Sequence, residues 1–88
     1  MEYNSFEDMP VWQKAMDLAV KIHGLTEMLP RKEDYGLTSQ IRSSGLSVSG
    51  NISEGFGRKH TNDKLRFYYN ARGSLTETKN HLIYGHKV

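Results

Sequence analysis

The chain has 88 residues, no Cys, two Pro and 36% hydrophobic residues, with 12 Lys and Arg against 10 Asp and Glu. That is enough for one small domain, residues 1–88, and a chain of this size buries only about 60–65% of the surface it exposes when unfolded. The absence of Cys excludes disulfides and thiolate metal sites and leaves self-association as the expected reinforcement of a marginal core.

No apolar run approaches the roughly 20 residues of a membrane span, and no basic-then-apolar leader opens the chain, so the expectation is a cytoplasmic protein that makes no membrane contact. Charge is unevenly spread. Residues 1–44 hold five basic and seven acidic side chains, net −2, whereas residues 45–88 hold seven basic and three acidic, net +4. A basic half points to an anionic partner.

The first predicted helix runs from about Val11 to Leu29, between Pro10 and Pro30. Pro10 suits a helix start because its missing N–H would have no intrahelical partner there, and Asp8 is positioned to cap. Trp12, Ala15, Met16, Ala19, Ile22 and Leu29 recur at helical spacing on one face. The polar stretch from Pro30 to Gly36 holds both helix breakers and reads as a linker. A second helix is predicted from about Leu37 to Glu54, with Leu37, Ile41, Gly45, Val48 and Ile52 along one side. Its Ser and Gly content gives poor intrinsic propensity, so tertiary packing must hold it, and its small residues suit close approach of a neighbour. Gly55 and Gly57 are expected to terminate it, Gly55 in the left-handed conformation that follows a helix end. The third helix is predicted from Thr61 or Asn62, either able to cap, to about Tyr84, where Gly85 ends it. Leu65, Tyr68, Tyr69, Arg72, Leu75, Lys79 and Leu82 form its expected packing stripe.

Catalytic patterns fail one by one. Gly45–Leu46–Ser47–Val48–Ser49 lacks the final Gly and the preceding strand of a nucleophile elbow. Gly55–Phe56–Gly57 is an incomplete dinucleotide fingerprint and follows a helix where a strand is needed. No Glu has a His three positions later, as a bundle-held metal pair requires. Glu77 and His81 make at most a surface pair, and His23, His60 and His86 have no ligand spacing. The sequon Asn51–Ile52–Ser53 carries no weight without a secretory signal. No enzyme, metal or cofactor is expected.

The best functional candidate is the cluster Arg58, Lys59 and His60 before the third helix, where basic side chains adjoin free backbone N–H groups. Arg66, Arg72 and Lys79 extend it along that helix, and Tyr68 and Tyr69 are available to stack on bases. The competing reading is an ordinary solvated face, with Arg72 paired to a carboxylate and one Tyr in the core.

Three blocks resemble a known family. Phe6 to Ala15 (FEDMPVWQKA) is similar to its F-x-D-L-x-V-W-x-K-A start. Tyr35 to Arg42, then Ser47–Val48 and Asn51 to Arg58, are similar to its Y-G-L-x-x-Q-[IL]-R…S-[IV]-x-x-N-I-A-E-G-x-G-R core. Phe67–Tyr68 and Ala71 to Glu77 are similar to its F-x-x-x-A-x-G-S-L-x-E helix. On these residues the chain resembles the four-helix bundle family of 23S rRNA intervening sequence proteins, also labelled S23 ribosomal proteins. It departs by Met9 for Leu, Ser53 for Ala, and Gly45 where Ala is usual.

The resemblance implies an all-α, antiparallel up-down bundle that forms ring-like homo-oligomers, pentamers being the known arrangement. It implies no catalytic activity, genes lying within insertions of bacterial 23S rRNA genes, and a related bundle whose basic surface engages nucleic acid. It also implies a polar structural motif at Gln40, Asn51, Glu54, Arg58 and Ser74. Glu54 and Arg58 are read as a pair closing the turn after the second helix, and a buried Asn or Glu as fixing register between helices. Family members continue into a fourth helix, so three helices leave an apolar groove, expected to be covered by another copy of the chain unless the chain is a truncated product. The functional expectation is a non-enzymatic homo-oligomer that contacts RNA or DNA through its basic C-terminal half. The alternative is a protein–protein scaffold.

Overall fold

A computed structural model describes residues 3–88. Three long helices account for most of it: α1 (Pro10–Thr26), α2 (Leu37–Gly57) and α3 (Thr61–Lys87). Short 3₁₀ turns at Phe6–Asp8 and Arg31–Glu33 precede α1 and α2.

The entry to α1 is built locally. Ser5 Oγ accepts from the Glu7 N–H at 3.2 Å, and Gln13 Nε2 donates to the Glu7 carbonyl at 2.9 Å. Phe6 meets Trp12 edge to face, with ring centroids 5.1 Å apart. Pro10 opens the helix as expected, but Asp8 does not cap it: Asp8 is spent in the 3₁₀ turn, and Met9 stands at the boundary without a side-chain cap. Ala15, Ile22 and Thr26 are buried, and Trp12, Met16 and Ala19 half-buried, along the predicted face. α1 ends at Thr26 rather than Leu29, because Met28 and Leu29 turn back onto the carbonyls of Leu25 and Thr26. Such tightening of the final turn is common at helix ends.

α2 is the central element. Its small residues bring both neighbours close, and its two flanks are used by different partners. On one side, a Cβ on Gly45 would stand 2.9 Å from Ile22 Cδ1 of α1. On the other, a Cβ on Gly55 would stand 2.6 Å from Tyr68 Cε1 and 3.2 Å from Phe67 Cβ of α3. Gly55 is therefore not the left-handed terminator expected of it. No glycine among the described residues has positive φ, and α2 runs on to Gly57. The physical reason lies in α3: Lys64 Nζ donates to the carbonyls of Gly55 (3.3 Å) and Phe56 (2.8 Å) and satisfies the helix end from outside.

α3 begins at Thr61, preceded by His60, with no side-chain cap from Thr61 or Asn62. Gly85 does not end it, because the helix continues to Lys87 and Gly85 instead lets Leu37 approach, to 3.1 Å from where a Cβ would be. The predicted packing stripe is also displaced. Only Ala71 and Thr78 are buried on α3, while Leu65, Tyr69, Leu75 and Leu82 are exposed. The contact with α2 is made by Lys64, Phe67, Tyr68, Ala71, Thr78 and Gly85, of which only Tyr68 belongs to the predicted stripe.

Helix directions follow from these contacts. Ile22 meets Gly45 and Thr26 meets Arg42, while Thr78 meets Ser44 and Tyr68 meets Gly55. Residue numbers fall along one helix as they rise along its neighbour, so both pairs are antiparallel. No Cα of α1 lies within 8 Å of one in α3. The fold is all-α with the three long helices expected, and the described residues hold no fourth; α1 and α3 flank α2 and come together only through small side chains, Ala15 and Ala71 packing with Val48 and Ile52 of α2 in one core cluster. The result measures 43 × 21 × 18 Å. Its accessible surface is 6627 Å², whereas a compact monomer of this mass exposes about 5300 Å².

Candidate functional site

Two surfaces stand out: a basic corner where α2 turns into α3, and an open groove between α1 and α3.

At the corner, α2 ends on Gly57 and α3 starts four residues later at Thr61, so Arg58, Lys59 and His60 are held in a short extended connection and all three are exposed. Arg66 lies one turn into α3. The guanidinium of Arg58 sits 4.6 Å from the centroid of the Phe67 ring and that of Arg66 sits 5.0 Å from it. One aromatic side chain thus gathers two cations, a contact favoured by the ring quadrupole. Arg58 also pairs with Glu54 at 3.3 Å in an exposed i,i+4 contact. Lys64 is committed to the end of α2, with Nζ also 5.5 Å from the Phe56 centroid.

The remaining basic candidates lie elsewhere. Arg72 and Lys79 are seven residues apart and so share one face of α3, while position 66 falls on a different one. Arg72 lines the apolar groove beside Leu75. The structure therefore brings Arg58, Lys59, His60 and Arg66 together and sets Arg72 and Lys79 apart. Tyr68 is packed on the Gly55 side of α2, and Tyr69 is exposed.

The polar motif residues are distributed as follows. Glu54 and Arg58 pair with each other across the end of α2. Asn51 is half-buried and donates to the carbonyl of Ser47 at 2.8 Å, within its own helix. Ser74 supplies a carbonyl to Thr78 Oγ1 at 2.8 Å. Gln40 is exposed and lines a polar recess with Glu33, Asn80, His81 and Tyr84.

Register between helices is carried by residues that sequence reasoning passed over. Arg42 Nε donates to Thr26 Oγ1 at 2.7 Å, and Arg42 reaches the His23 carbonyl at 3.4 Å, closing the end of α1 from α2. Thr78 and Ser44 join α3 to α2 through their buried hydroxyls, 2.9 Å apart. Spacing along one helix holds no signal for such pairs, since each partner is ordinary within its own segment.

The groove has α2 as its floor, with Val48 and Ile52 between Val11 and Leu18 of α1 and Leu75 of α3. It encloses about 310 Å³ around Met9 and Tyr68, and a separate recess at the other end of the bundle is lined by Leu25, Ile41 and Leu82.

Among the described residues, no three His, Asp or Glu side chains come together in a way that would hold a metal ion, and no helix is long and apolar enough to cross a membrane.

The profile of the family described as 23S rRNA-intervening sequence protein matches residues 7–88, nearly the whole chain. The chain belongs to this family. No curated protein matches it.

Proposed function

We propose that this 23S rRNA-intervening sequence protein is a non-enzymatic, cytoplasmic binding module that meets the phosphates of RNA or DNA at the α2–α3 corner. The observation that carries the reading is the gathering of the Arg58 and Arg66 guanidiniums over Phe67, with Lys59 and His60 exposed between them. Guanidiniums held in place lose less freedom on binding an anion, and their donor forks suit phosphate oxygens. A phosphate at this corner competes with Glu54 for Arg58, an exposed and therefore weak pair. Contacts of this kind position a nucleic acid without reading its sequence.

The four-helix bundle of the S23 ribosomal proteins belongs to the same proposal: three helices around an open groove supply three of its members. So do homo-oligomers, pentamers by resemblance, for which the exposed Val20, Leu46 and Tyr69, all outside the groove, offer apolar surface between copies.

Fluorescence anisotropy with labelled single-stranded and duplex RNA tests the reading. Replacing Arg58, Lys59 and Arg66 together by Ala should weaken binding to every sequence alike. Undiminished binding by that variant at low salt would remove the corner from the function. The second reading, a protein–protein scaffold, is favoured by the open groove.

A further inference from the structure

Beside the corner, the 3₁₀ turn at Phe6–Asp8 meets the end of α2 and leaves an open recess of about 420 Å³, a volume in the range of small-ligand sites. Phe6, Ser53, Glu54, Gly57 and Arg58 line it. Apart from Arg58, what they offer a ligand is acceptors. A carboxylate such as that of Glu54 accepts only. Ser53 Oγ gives its proton to the Gly50 carbonyl at 2.9 Å and keeps its lone pairs. Gly57 is the last residue of α2, at the negative end of the helix dipole. Phe6 adds an aromatic ring, half-buried and fixed edge to face against Trp12.

We infer, resting on the reading of the corner as a phosphate-binding surface, that this recess holds an unpaired guanine of a single-stranded nucleic acid whose phosphate lies on Arg58. Glu54 and Arg58, which both line the recess, hold each other at 3.3 Å in an exposed and therefore weak pair. A phosphate alone takes Arg58 and leaves the Glu54 carboxylate beside an added negative charge. A nucleotide compensates both partners at once when its base brings donors to Glu54. Guanine is the base that does so: its Watson–Crick edge presents N1–H and N2–H₂ side by side, matching the two oxygens of a carboxylate. Adenine and cytosine each set one amino group beside a ring-nitrogen acceptor, and uracil sets its N3–H between two carbonyls. Each of these turns an acceptor toward acceptors. Phe6 supplies a ring for the base to stack on, a contact that every base makes, so the choice among bases falls to the carboxylate. In a duplex the same edge of guanine is occupied by cytosine, which restricts the site to loops, bulges and ends.

The probes are labelled single-stranded RNAs of about ten nucleotides, uridine throughout or with one central G, A or C. Fluorescence anisotropy at low salt should show the full chain binding the G strand about tenfold more tightly than the other three, the discrimination of one bidentate base contact. Inosine at the central position, which lacks N2–H₂, should lose most of that preference, and annealing each strand to its complement should abolish it. Glu54→Gln, with helicity checked by circular dichroism, replaces one acceptor by a donor and should bring the four strands within about twofold of one another. Phe6→Leu should weaken all four alike and keep the preference. The inosine strand reads the same contact on the native chain and does not depend on the folding of either variant. Absence of binding by every strand would remove the corner reading and the guanine site with it. Binding of the four strands with equal affinity, or a G preference unchanged by inosine or by Glu54→Gln, would overturn the guanine site alone and leave the phosphate contacts standing.

Discussion

The hydroxyls of Thr78 on α3 and Ser44 on α2 hydrogen-bond each other at 2.9 Å, both buried, where a helical bundle would ordinarily place two apolar side chains. Each hydroxyl also has a carbonyl of its own helix in reach, Thr78 Oγ1 that of Ser74 at 2.8 Å and Ser44 Oγ that of Ile41 at 3.3 Å, and with one proton each, one hydroxyl donates across the helix pair while the other donates to its carbonyl. The pair ties α3 to α2 at a position where neither side chain is large enough to do so by packing alone. Thr78→Val should lower stability by about 1 kcal/mol, the usual worth of one hydrogen bond, whereas Ser44→Ala/Thr78→Val should cost no more than the single change. Chemical denaturation of the three proteins checks this, and a double variant markedly less stable than Thr78→Val would contradict it.

The two buried glycines of α2 should respond differently to the same substitution. At Gly45 the obstacle is Ile22 Cδ1, the far end of a flexible side chain, at 2.9 Å. A small shift there is offset by the roughly 1 kcal/mol that Ala gains over Gly in a helix, so Gly45→Ala should leave stability nearly unchanged. At Gly55 the obstacles are the Tyr68 ring at 2.6 Å and Phe67 Cβ at 3.2 Å, an aromatic ring and the root of a side chain. Gly55→Ala should therefore destabilise by about 1–3 kcal/mol, as overpacking does. Melting temperatures of the two variants measured side by side give the comparison.

Thr38 is buried at the start of α2, and its Oγ1 has no hydrogen-bond partner. A buried hydroxyl left unpaired costs about 1–3 kcal/mol relative to its hydrated state. Thr38→Val keeps the shape and removes the polar atom, and should raise the denaturation midpoint. A lowered midpoint would mean that the hydroxyl is satisfied in solution.

Much of the architecture is legible in the sequence, and the errors have a common cause. Trp12, Ala15 and Ile22 mark the inner face of α1 because each meets α2, and Ile41, Val48 and Ile52 mark α2 for the same reason. The stripe on α3 misleads because Leu65, Leu75 and Leu82 are spaced for a face that nothing among the described residues covers, while the actual contact uses Ala71 and Thr78. Periodicity reports which face is apolar, not which partner is present. Local rules mark Gly55 and Gly85 as helix ends, but both serve close approach of a side chain from another helix, which no local rule contains. Lys64 and Arg42 cap helices other than their own, again beyond the reach of spacing. At the corner, the sequence marks Arg58, Lys59 and His60 by adjacency alone. That Arg66 joins them through Phe67, and that Arg72 does not, required the turn between α2 and α3.

Phe67 should act on binding by positioning rather than by charge. Phe67→Leu retains most of the packing beside Gly55 but removes the ring that holds the two guanidiniums. RNA affinity should fall severalfold, about the worth of one or two cation–π contacts of 0.5–1 kcal/mol each, while the salt dependence stays as it was. Anisotropy titrations at several salt concentrations separate the two effects. A reduced salt slope would show that the ring has a different role.

Nucleic-acid contact at the α2–α3 corner is tested most directly by that salt dependence itself. Each phosphate neutralised by a cation contributes a slope of about −0.7 to −0.9 in log K against log salt. With Arg58, Lys59 and Arg66 at the interface, the native chain should give about −2 to −3, falling to near zero when all three are replaced by Ala. Lys14→Glu/Arg72→Glu, which alters the groove, should leave the slope close to the native value. A slope that survives loss of the corner, or that collapses with the groove variant instead, would contradict the assignment of nucleic-acid contact to the α2–α3 turn.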